Sequence, residues 1–448
     1  MNERMEWKKL INDKRFGLEE LHQPKTGLRT DFQRDYDRLI FSSPFRRLQN
    51  KTQVFPLPGS IFVHNRLTHS LEVSSCGRSI ANEVVSLISA KYKDDSETLE
   101  RLSHLGEIVT AACLAHDLGN PPFGHSGEKA IATYFSEGKG KFLQEKLTPE
   151  QWMDLTHFEG NANAFRVLTH SFKGRRKGGF AMTYSTLASI VKYPFSSGLA
   201  TKNKFGFFTT EKDSYRTIAD ELGIIEKQND EEGVAYCRHP LVYIVEAADD
   251  ICYEIMDLED AHKLKIISTE QIKNMLLQYF PEERQQKMQR AMSHIDDPNE
   301  QIGYLRCCVI GTLVLRAAEV FAANEDLILN GGFNGSLLDH IPELERNAYK
   351  NCAKISKSKI YCAGDVVDIE LAGNRIMTFL LEKLVHAVCN PELTYSKLLL
   401  ARVPEQYEVD ADTLYGRIQA VVDHISAMTD VYALDLYRKL NGMSLPAV

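Results

Sequence analysis

A short segment of the chain concentrates side chains that bind metal ions and move protons. Residues 116–128 have the sequence HDLGNPPFGHSGE, which contains two histidines, one aspartate and one glutamate. Imidazole together with carboxylate suits a borderline or hard divalent ion such as Mn, Mg, Fe, Ni or Co. The segment contains no cysteine, which argues against a structural zinc site. It therefore predicts a metal site with acid/base groups beside it.

Two further hydrophobic segments each contribute one polar side chain of the same kind. The spacing of hydrophobic residues predicts helices over residues 69–92 and 241–257, with His69 and Asp249 on or near their buried faces. Burying an ionised carboxylate is costly unless it is paired or bound to metal. A metal ion would remove this cost, whereas an ion pair with an arginine is the alternative for Asp249 alone. The predicted metal ligands are His69, His116, Asp117 and Asp249.

The second histidine of the segment has a carboxylate within reach. His125 and Glu128 are three residues apart, so in a turn or a first helical turn they can share a face. A histidine oriented by a carboxylate is a natural general acid/base pair, and the open positions of a metal with four protein ligands can hold water and a substrate oxygen. The alternative for Glu128 is an acidic residue favoured by the dipole of the next helix. The combination predicts metal-assisted hydrolysis.

The elements that must position these groups are helices. Residues 105–118 predict a buried helix, which Gly119 can close in a left-handed conformation and which Pro121 and Pro122 end. Strand signals are weak, and residues 205–210 are the candidate for local pairing. The predicted fold class is all-α, mainly helical with a few short strands or hairpins, plus a C-terminal helical accessory region.

Composition limits the classes of protein to consider. The 448 residues are 43% hydrophobic and 25% charged, which is ordinary for a globular protein, and the net charge of −8 gives no bulk attraction to nucleic acid or anionic membrane. We expect no membrane span and no signal peptide, and we expect nine reduced, mostly buried cysteines in a cytoplasmic protein. Residues 173–179, KGRRKGG, predict a solvated loop, with a nucleic-acid contact as the minority alternative.

Several longer segments are similar to those of one known enzyme family. They are LQNKTQVFPL at residues 48–57, HDLGNPPFGHSGE at 116–128, THFEGN at 156–161 and EAADDICY at 246–253. With the order His, His-Asp, Asp, these segments resemble the bacterial dGTP triphosphohydrolases of the HD-domain superfamily. The resemblance runs from about residue 28 to about 262 and continues more weakly through residues 359–361 and 369–373.

The resemblance implies a reaction, a cofactor and a set of site residues. The family converts a deoxynucleoside triphosphate to a deoxynucleoside and inorganic triphosphate with a divalent metal ion. It implies the same four metal ligands, His125 as the catalytic histidine and Glu128 as its partner. The implied substrate-binding residues are Arg66, Lys192 and Tyr193 for phosphate and sugar, Gln53 for sugar and base, and Tyr253 and Asp257 for the deoxyribose.

The predicted domain division follows the extent of the resemblance. Residues 1–58 are predicted to contribute to the nucleotide pocket, residues 59–265 to form the HD phosphohydrolase domain, and residues 266–448 to form a helical accessory or oligomerisation region. The chain is shorter than the best-known dGTP-specific family members, and its C-terminal third matches them poorly, so dGTP and several deoxynucleoside triphosphates are both open as substrates.

Two other functions stay open at this stage. One is an HD-domain nucleotidase or phosphodiesterase acting on other nucleotides, and the other is a sensor that binds deoxynucleoside triphosphates without turnover. The resemblance also implies a homo-oligomer, commonly a hexamer, and leaves open a nucleotide effector or single-stranded nucleic acid as a further partner.

Overall fold

The computed structural model describes residues 4–21, 29–55, 63–200 and 202–444. In these residues the chain is mainly helical, and its β-structure comprises one antiparallel pair, β1 (Glu226–Asn229) and β2 (Val234–Tyr236), together with isolated bridges. The predicted fold class is therefore confirmed. The end of the LQNKTQVFPL segment, at residues 56–57, lies outside the described residues.

The α-helices follow one another along the described chain with short connections. In chain order they are α1 (Trp7–Leu10), α2 (Asp31–Ile40), α3 (Ser43–Arg47), α4 (Arg66–Ile88), α5 (Ser96–Leu102), α6 (Leu105–Ala115), α7 (Gly124–Ser136), α8 (Pro149–Thr156), α9 (Gly160–Thr169), α10 (Tyr184–Ile190), α11 (Lys212–Leu222), α12 (Pro240–Lys263), α13 (Thr269–Leu277), α14 (Glu282–Met292), α15 (Pro298–Ala323), α16 (Glu325–Leu329), α17 (Glu343–Ile355), α18 (Gly364–Cys389), α19 (Thr394–Leu400), α20 (Leu414–Ser426) and α21 (Asp430–Leu440).

Helices α4, α6 and α12 form the centre of the larger hydrophobic core. Helix α4 begins with a capping box between Asn65 and Thr68, which satisfies backbone groups at the helix start. Helices α4 and α6 approach closely because Gly77 has no side chain: a Cβ there would lie 2.6 Å from Cys113 Sγ and 2.9 Å from Val109 Cγ1. The three helices therefore hold their polar residues at fixed positions relative to one another.

The end of α6 differs from its prediction. The helix stops at Ala115, three residues before the predicted end, and Gly119 does not have a positive φ. The left-handed residues are instead Phe123 and Gly124, at φ of 62° and 55°. Gly119 is required by packing, because a Cβ there would lie 2.1 Å from Gly160 O. The prediction of a left-handed Gly119 is therefore wrong, and the loop turns four residues later.

A second hydrophobic cluster joins α7 and α8 to α18, α20 and α21. Helix α18 packs along α7, so the C-terminal part of the chain supports the helix that follows the HDLGNPPFGHSGE loop. The predicted pairing of residues 205–210 is reduced to a single bridge between Ser196 and Phe207. No helix of the described chain has the length and hydrophobicity needed to cross a membrane.

Candidate active site

The four predicted metal ligands lie together. One ligand atom each from His69 on α4 and from His116 and Asp117 after α6 lie within 4.8 Å of one another. Asp249 on α12 completes the group, with its Oδ1 3.0 Å from His69 Nε2 and 3.5 Å from His116 Nε2. Three helices that are distant in sequence therefore bring two imidazoles and two carboxylates to one point.

The atoms that face this point fit a divalent cation. His116 Nδ1 donates a hydrogen bond of 2.6 Å to Cys113 O, so the neutral ring presents the lone pair of Nε2 to the cluster. His116 Nε2 and Asp117 Oδ2 are both buried, and neither has a hydrogen-bond partner in the part of the chain that the structure describes. Buried polar atoms without partners are rare, and a metal ion would satisfy both of these. Imidazole nitrogen and carboxylate oxygen are also the donors that such an ion takes.

The charges in the cluster depend strongly on one another. Burial raises the pKa of Asp249. The neighbouring His116 and His69 have a larger, opposite effect and hold this pKa well below its ordinary value. Burial lowers the pKa of His116. The negative charges of Asp117 and Asp249 have a larger, opposite effect and raise this pKa to about 9. In the absence of metal, both ring nitrogens of His116 are therefore protonated at neutral pH, and a metal ion would bind only to the neutral ring, after the proton on Nε2 has left.

Arg66 connects the cluster to the rest of the pocket. Its Nη1 donates a hydrogen bond of 2.9 Å to Asp117 Oδ1, and Asn120 Nδ2 donates to the same oxygen. These two donors fix the orientation of Asp117. The buried Nε of Arg66 has no partner. Arg66 can therefore hold the carboxylate and still donate to a phosphate oxygen.

His125 and Glu128 form the predicted pair at the start of α7. His125 Nδ1 lies 2.8 Å from Glu128 Oε2, and Glu128 Oε1 accepts a 2.8 Å hydrogen bond from Gly160 N. The hydrogen bond with Glu128, and then its charge, raise the pKa of His125 although burial opposes this. The Nε2 of His125 has no partner among the described residues. This nitrogen is the group that can give or take a proton.

The four candidate metal ligands and the pair formed by His125 and Glu128 line one cavity of about 300 Å³. The four ligands are called the metal cluster below. Most of the predicted substrate-binding residues line it, namely Gln53, Arg66, Lys192, Tyr193 and Tyr253. Asp257 does not line it: this buried carboxylate accepts a hydrogen bond of 2.9 Å from Tyr361 Oη. The Tyr361 ring lies 6.1 Å from the Tyr253 ring, so this hydrogen bond connects Asp257 to the wall of the cavity.

Lys192 carries a positive charge on the far side of the cavity. Its Nζ lies 3.2 Å from Glu246 Oε1, and Arg238 Nη1 holds the second oxygen of that carboxylate at 2.9 Å. Burial lowers the pKa of Lys192, but Glu246 and Asp250 outweigh it and raise the pKa above its ordinary value. The ammonium therefore stays charged where an anionic ligand would lie.

Sequence reasoning missed a second ion pair in the cavity wall. Lys204 Nζ donates to Glu159 Oε1, and both residues line the cavity with Asn161. Glu159 is part of the THFEGN segment, which contained a signal that the prediction did not use. Lys204 belongs to no motif, so its position became visible only in the fold.

Two family models and several known proteins match this chain. Residues 66–251 match the HD domain, and residues 346–439 match the phosphohydrolase-associated domain. The chain is 36% identical to a deoxyguanosinetriphosphate triphosphohydrolase-like protein of Synechocystis, over 98% of this chain and 100% of that protein. It is 34% identical to a protein of the same name from Pseudomonas aeruginosa, over 99% and 100%. A deoxyguanosinetriphosphate triphosphohydrolase of Yersinia enterocolitica is 30% identical over 91% and 93%.

Proposed function

This chain belongs to the HD-domain family of deoxyguanosinetriphosphate triphosphohydrolases and triphosphohydrolase-like proteins, and we propose that it hydrolyses deoxynucleoside triphosphates to deoxynucleoside and inorganic triphosphate. The observation that carries the proposal is one cavity that contains four candidate metal ligands, a histidine with a free nitrogen and several cationic side chains. The proposed substrate is dGTP or several deoxynucleoside triphosphates. Hydrolysis occurs at the α-phosphorus.

The proposed metal ligands are His69, His116, Asp117 and Asp249. A bound divalent ion (Mn, Mg, or another such as Ni, Co or Fe) supplies polarisation of a phosphoryl oxygen and activation of water. Arg66 fixes Asp117 through its 2.9 Å hydrogen bond, which keeps that carboxylate in its place in the cluster. The geometry of the cluster is thus supported from outside by a residue that also faces the substrate.

The protein groups around the reacting phosphate have separate tasks. Arg66, Lys192 and Lys204 balance the negative charge of the triphosphate, which is the main contribution a protein makes to phosphoryl transfer. His125 transfers a proton to or from the reacting centre through its Nε2, and Glu128 holds the ring in that orientation.

The sugar and base occupy the remaining wall of the cavity in this proposal. Tyr193 and Tyr253 offer aromatic surfaces, and Gln53 offers an amide whose buried Oε1 has no partner among the residues that the structure describes. Asp257 positions Tyr253 through Tyr361. An unsatisfied buried acceptor next to an aromatic ring favours a ligand that donates a hydrogen bond, such as a sugar hydroxyl or a base amino group.

Product analysis tests the proposal directly. Purified protein is incubated with each deoxynucleoside triphosphate and Mn²⁺ or Mg²⁺, and the anions are separated by ion chromatography. Inorganic triphosphate with deoxynucleoside, absent in EDTA, is the expected result. Orthophosphate or pyrophosphate would instead indicate another HD nucleotidase or phosphodiesterase, and bound but intact nucleotide under every condition would indicate a sensor.

The remaining predictions about organisation go with this proposal. We propose the division into residues 1–58, 59–265 and 266–448, a homo-oligomer such as a hexamer, and a cytoplasmic location, where the proposed substrates occur. A nucleotide effector and single-stranded nucleic acid are further partners to include in the same assays.

A further inference from the structure

Another cavity lies behind the loop that carries Asp117, between α3, α9 and α20. Its volume is about 30 Å³, which is room for a small ion and far too little for a nucleotide. Its lining includes Leu118, so it backs directly onto the loop of the candidate active site. The polar residues that matter in its wall are Arg47, Lys51, Asn163, Arg175, Tyr407 and Ser426.

Two arginines in this wall have no acceptor. Among the described residues, neither the half-buried Arg47 nor Arg175 has a hydrogen bond from its guanidinium group or an ion pair. Arg175 packs instead over the rings of Phe172 and Phe180, at 5.8 and 5.3 Å. Burial lowers the pKa of Arg47, and Arg175 lowers it further, although Tyr407 opposes both effects. Among the described residues, neither positive charge is therefore balanced by a directly bonded carboxylate.

The carboxylate in the wall is already occupied. Asp423 accepts from Arg166 through both oxygens, at 2.8 Å each, and makes no hydrogen bond with Arg47 or Arg175; its single negative charge offsets only part of their two positive charges. The charge of this cavity is therefore positive although the whole chain has a net charge of −8.

Buried polar atoms without partners lie in the same wall. Ser426 Oγ and Asn163 Oδ1 have no hydrogen-bond partner, and the residues are 3% and 2% exposed. Lys51, which is 2% exposed, donates to Asn120 O and Ser426 O at 2.5 and 2.7 Å, and burial lowers its pKa to about 7. The wall therefore offers charged donors, a hydroxyl and one acceptor.

We propose that this cavity binds one tetrahedral oxyanion, inorganic hydrogen phosphate, between Arg47 and Arg175. Guanidinium groups bind phosphate oxygens in pairs of hydrogen bonds. Ser426 Oγ donates to a further oxygen, and Asn163 Oδ1 accepts from the protonated oxygen. Sulfate has no proton to donate to Asn163 and so binds more weakly. The site needs no metal ion and does not depend on the function proposed for the larger cavity.

Calorimetric titration of the full-length protein with sodium phosphate tests the site. EDTA is present so that a metal ion in the candidate active site does not contribute, and sodium chloride at equal ionic strength is the blank. The cavity variant carries R47Q and R175Q. The matched control carries R46Q and R176Q, which remove the same charge from neighbouring residues that do not line the cavity.

We expect wild type and control to bind phosphate alike, and the cavity variant to bind at least about tenfold more weakly, as loss of charged hydrogen bonds requires. Equal affinity of both variants, or no phosphate binding by wild type, would overturn the proposal. A second titration with glycerol 2-phosphate identifies the natural ligand. If this monoester binds as tightly as inorganic phosphate, the ligand is the phosphate group of a larger molecule. If it binds more weakly, the ligand is free phosphate. Both outcomes retain the site.

Thermal unfolding without phosphate separates binding from a structural role. Because the arginine charges are unpaired, the cavity variant should unfold at the same temperature as the control or at a higher one. A lower temperature would show that Arg47 stabilises the fold and would count against an anion site. If the double variant does not fold, R175Q alone replaces it, because Arg175 is exposed and contributes little to core packing.

Discussion

Two buried charge clusters of this protein contain similar residues and differ in how completely they are satisfied. In the first, around Arg166, Nη1 lies 2.6 Å from Glu211 Oε1 and the other donors bind Asp423 at 2.8 Å. In the second, the metal cluster, His116 Nε2 and Asp117 Oδ2 have no partner. The first cluster is complete without a ligand, whereas the second has two polar atoms that a bound cation would satisfy.

This difference separates a structural role from a functional one. Burial alone does not separate the two roles, because Arg166, Glu211 and Asp423 in the first cluster and His69 and Asp117 in the second are all buried. Altered pKa values do not separate them either, because both clusters contain residues with shifted pKa values. Removing a charge should therefore have different consequences at the two clusters. It should abolish activity at the metal cluster and reduce stability at the cluster around Arg166.

The largest expected effect is the loss of a metal ligand. Asp249→Asn keeps the size of the side chain and removes the carboxylate that contacts both His69 and His116. We expect turnover to fall at least about a thousandfold, as loss of metal-ion charge stabilisation implies, with little bound metal by mass spectrometry. Circular dichroism should show a folded protein. A variant that keeps wild-type metal content and turnover would remove Asp249 from the ligand set.

The next effect concerns the proton-transferring pair. His125→Ala should lower turnover by roughly 10²–10⁴-fold, the usual contribution of general acid/base catalysis. Because His125 touches Glu128 and not the four ligands, bound metal should be unchanged. Glu128→Gln should have a smaller effect on turnover, since it removes only the group that orients the ring. If His125→Ala turns over like wild type, the histidine has no catalytic role.

At the complete cluster the same loss of a carboxylate should affect stability instead. Glu211→Gln leaves Arg166, which is 4% exposed, with one carboxylate in place of two. We expect the free energy of unfolding to fall by about 3 kcal/mol, the lower end of the cost of breaking a buried ion pair, as measured by urea denaturation. Turnover per folded molecule and metal content should not change. A large loss of turnover in the folded variant would erase the distinction between the clusters.

The sequence predicted that the four candidate metal ligands lie together because each of them lies in a helix with a clear hydrophobic pattern, or directly after one. It could not predict the pairs that depend on long-range packing. Lys204 meets Glu159 across 45 residues, and Arg175 faces the same cavity as Arg47 although no local pattern relates them. The strand at Glu226–Asn229 was missed for a different reason: its sequence, EKQN, is polar and lacks the alternation that marks a half-buried strand.

Two buried histidines extend the comparison to smaller effects. His116 lies between carboxylates, which raise its pKa to about 9 against the effect of burial. His239 is fully buried among neutral groups: its Nδ1 accepts from Leu241 N at 3.2 Å and its Nε2 lies 3.1 Å from Leu10 O. Burial lowers the pKa of His239 to about 4. One histidine is thus prepared for exchange of a proton with a metal ion, and the other is kept neutral for structure.

The smallest predicted effect is the pH dependence that His239 gives to folding. Its pKa is about 4 in the folded state and about 6.5 in the unfolded state, so the unfolded state binds a proton first as the pH falls. The stability contribution is fully present above pH 6.5 and is lost progressively toward pH 4, by about 3 kcal/mol at most. His239→Gln can keep an acceptor and a donor but cannot titrate. Its unfolding free energy should therefore fall less than that of wild type between these pH values, and parallel curves for the two proteins would show that His239 is not neutral in the fold.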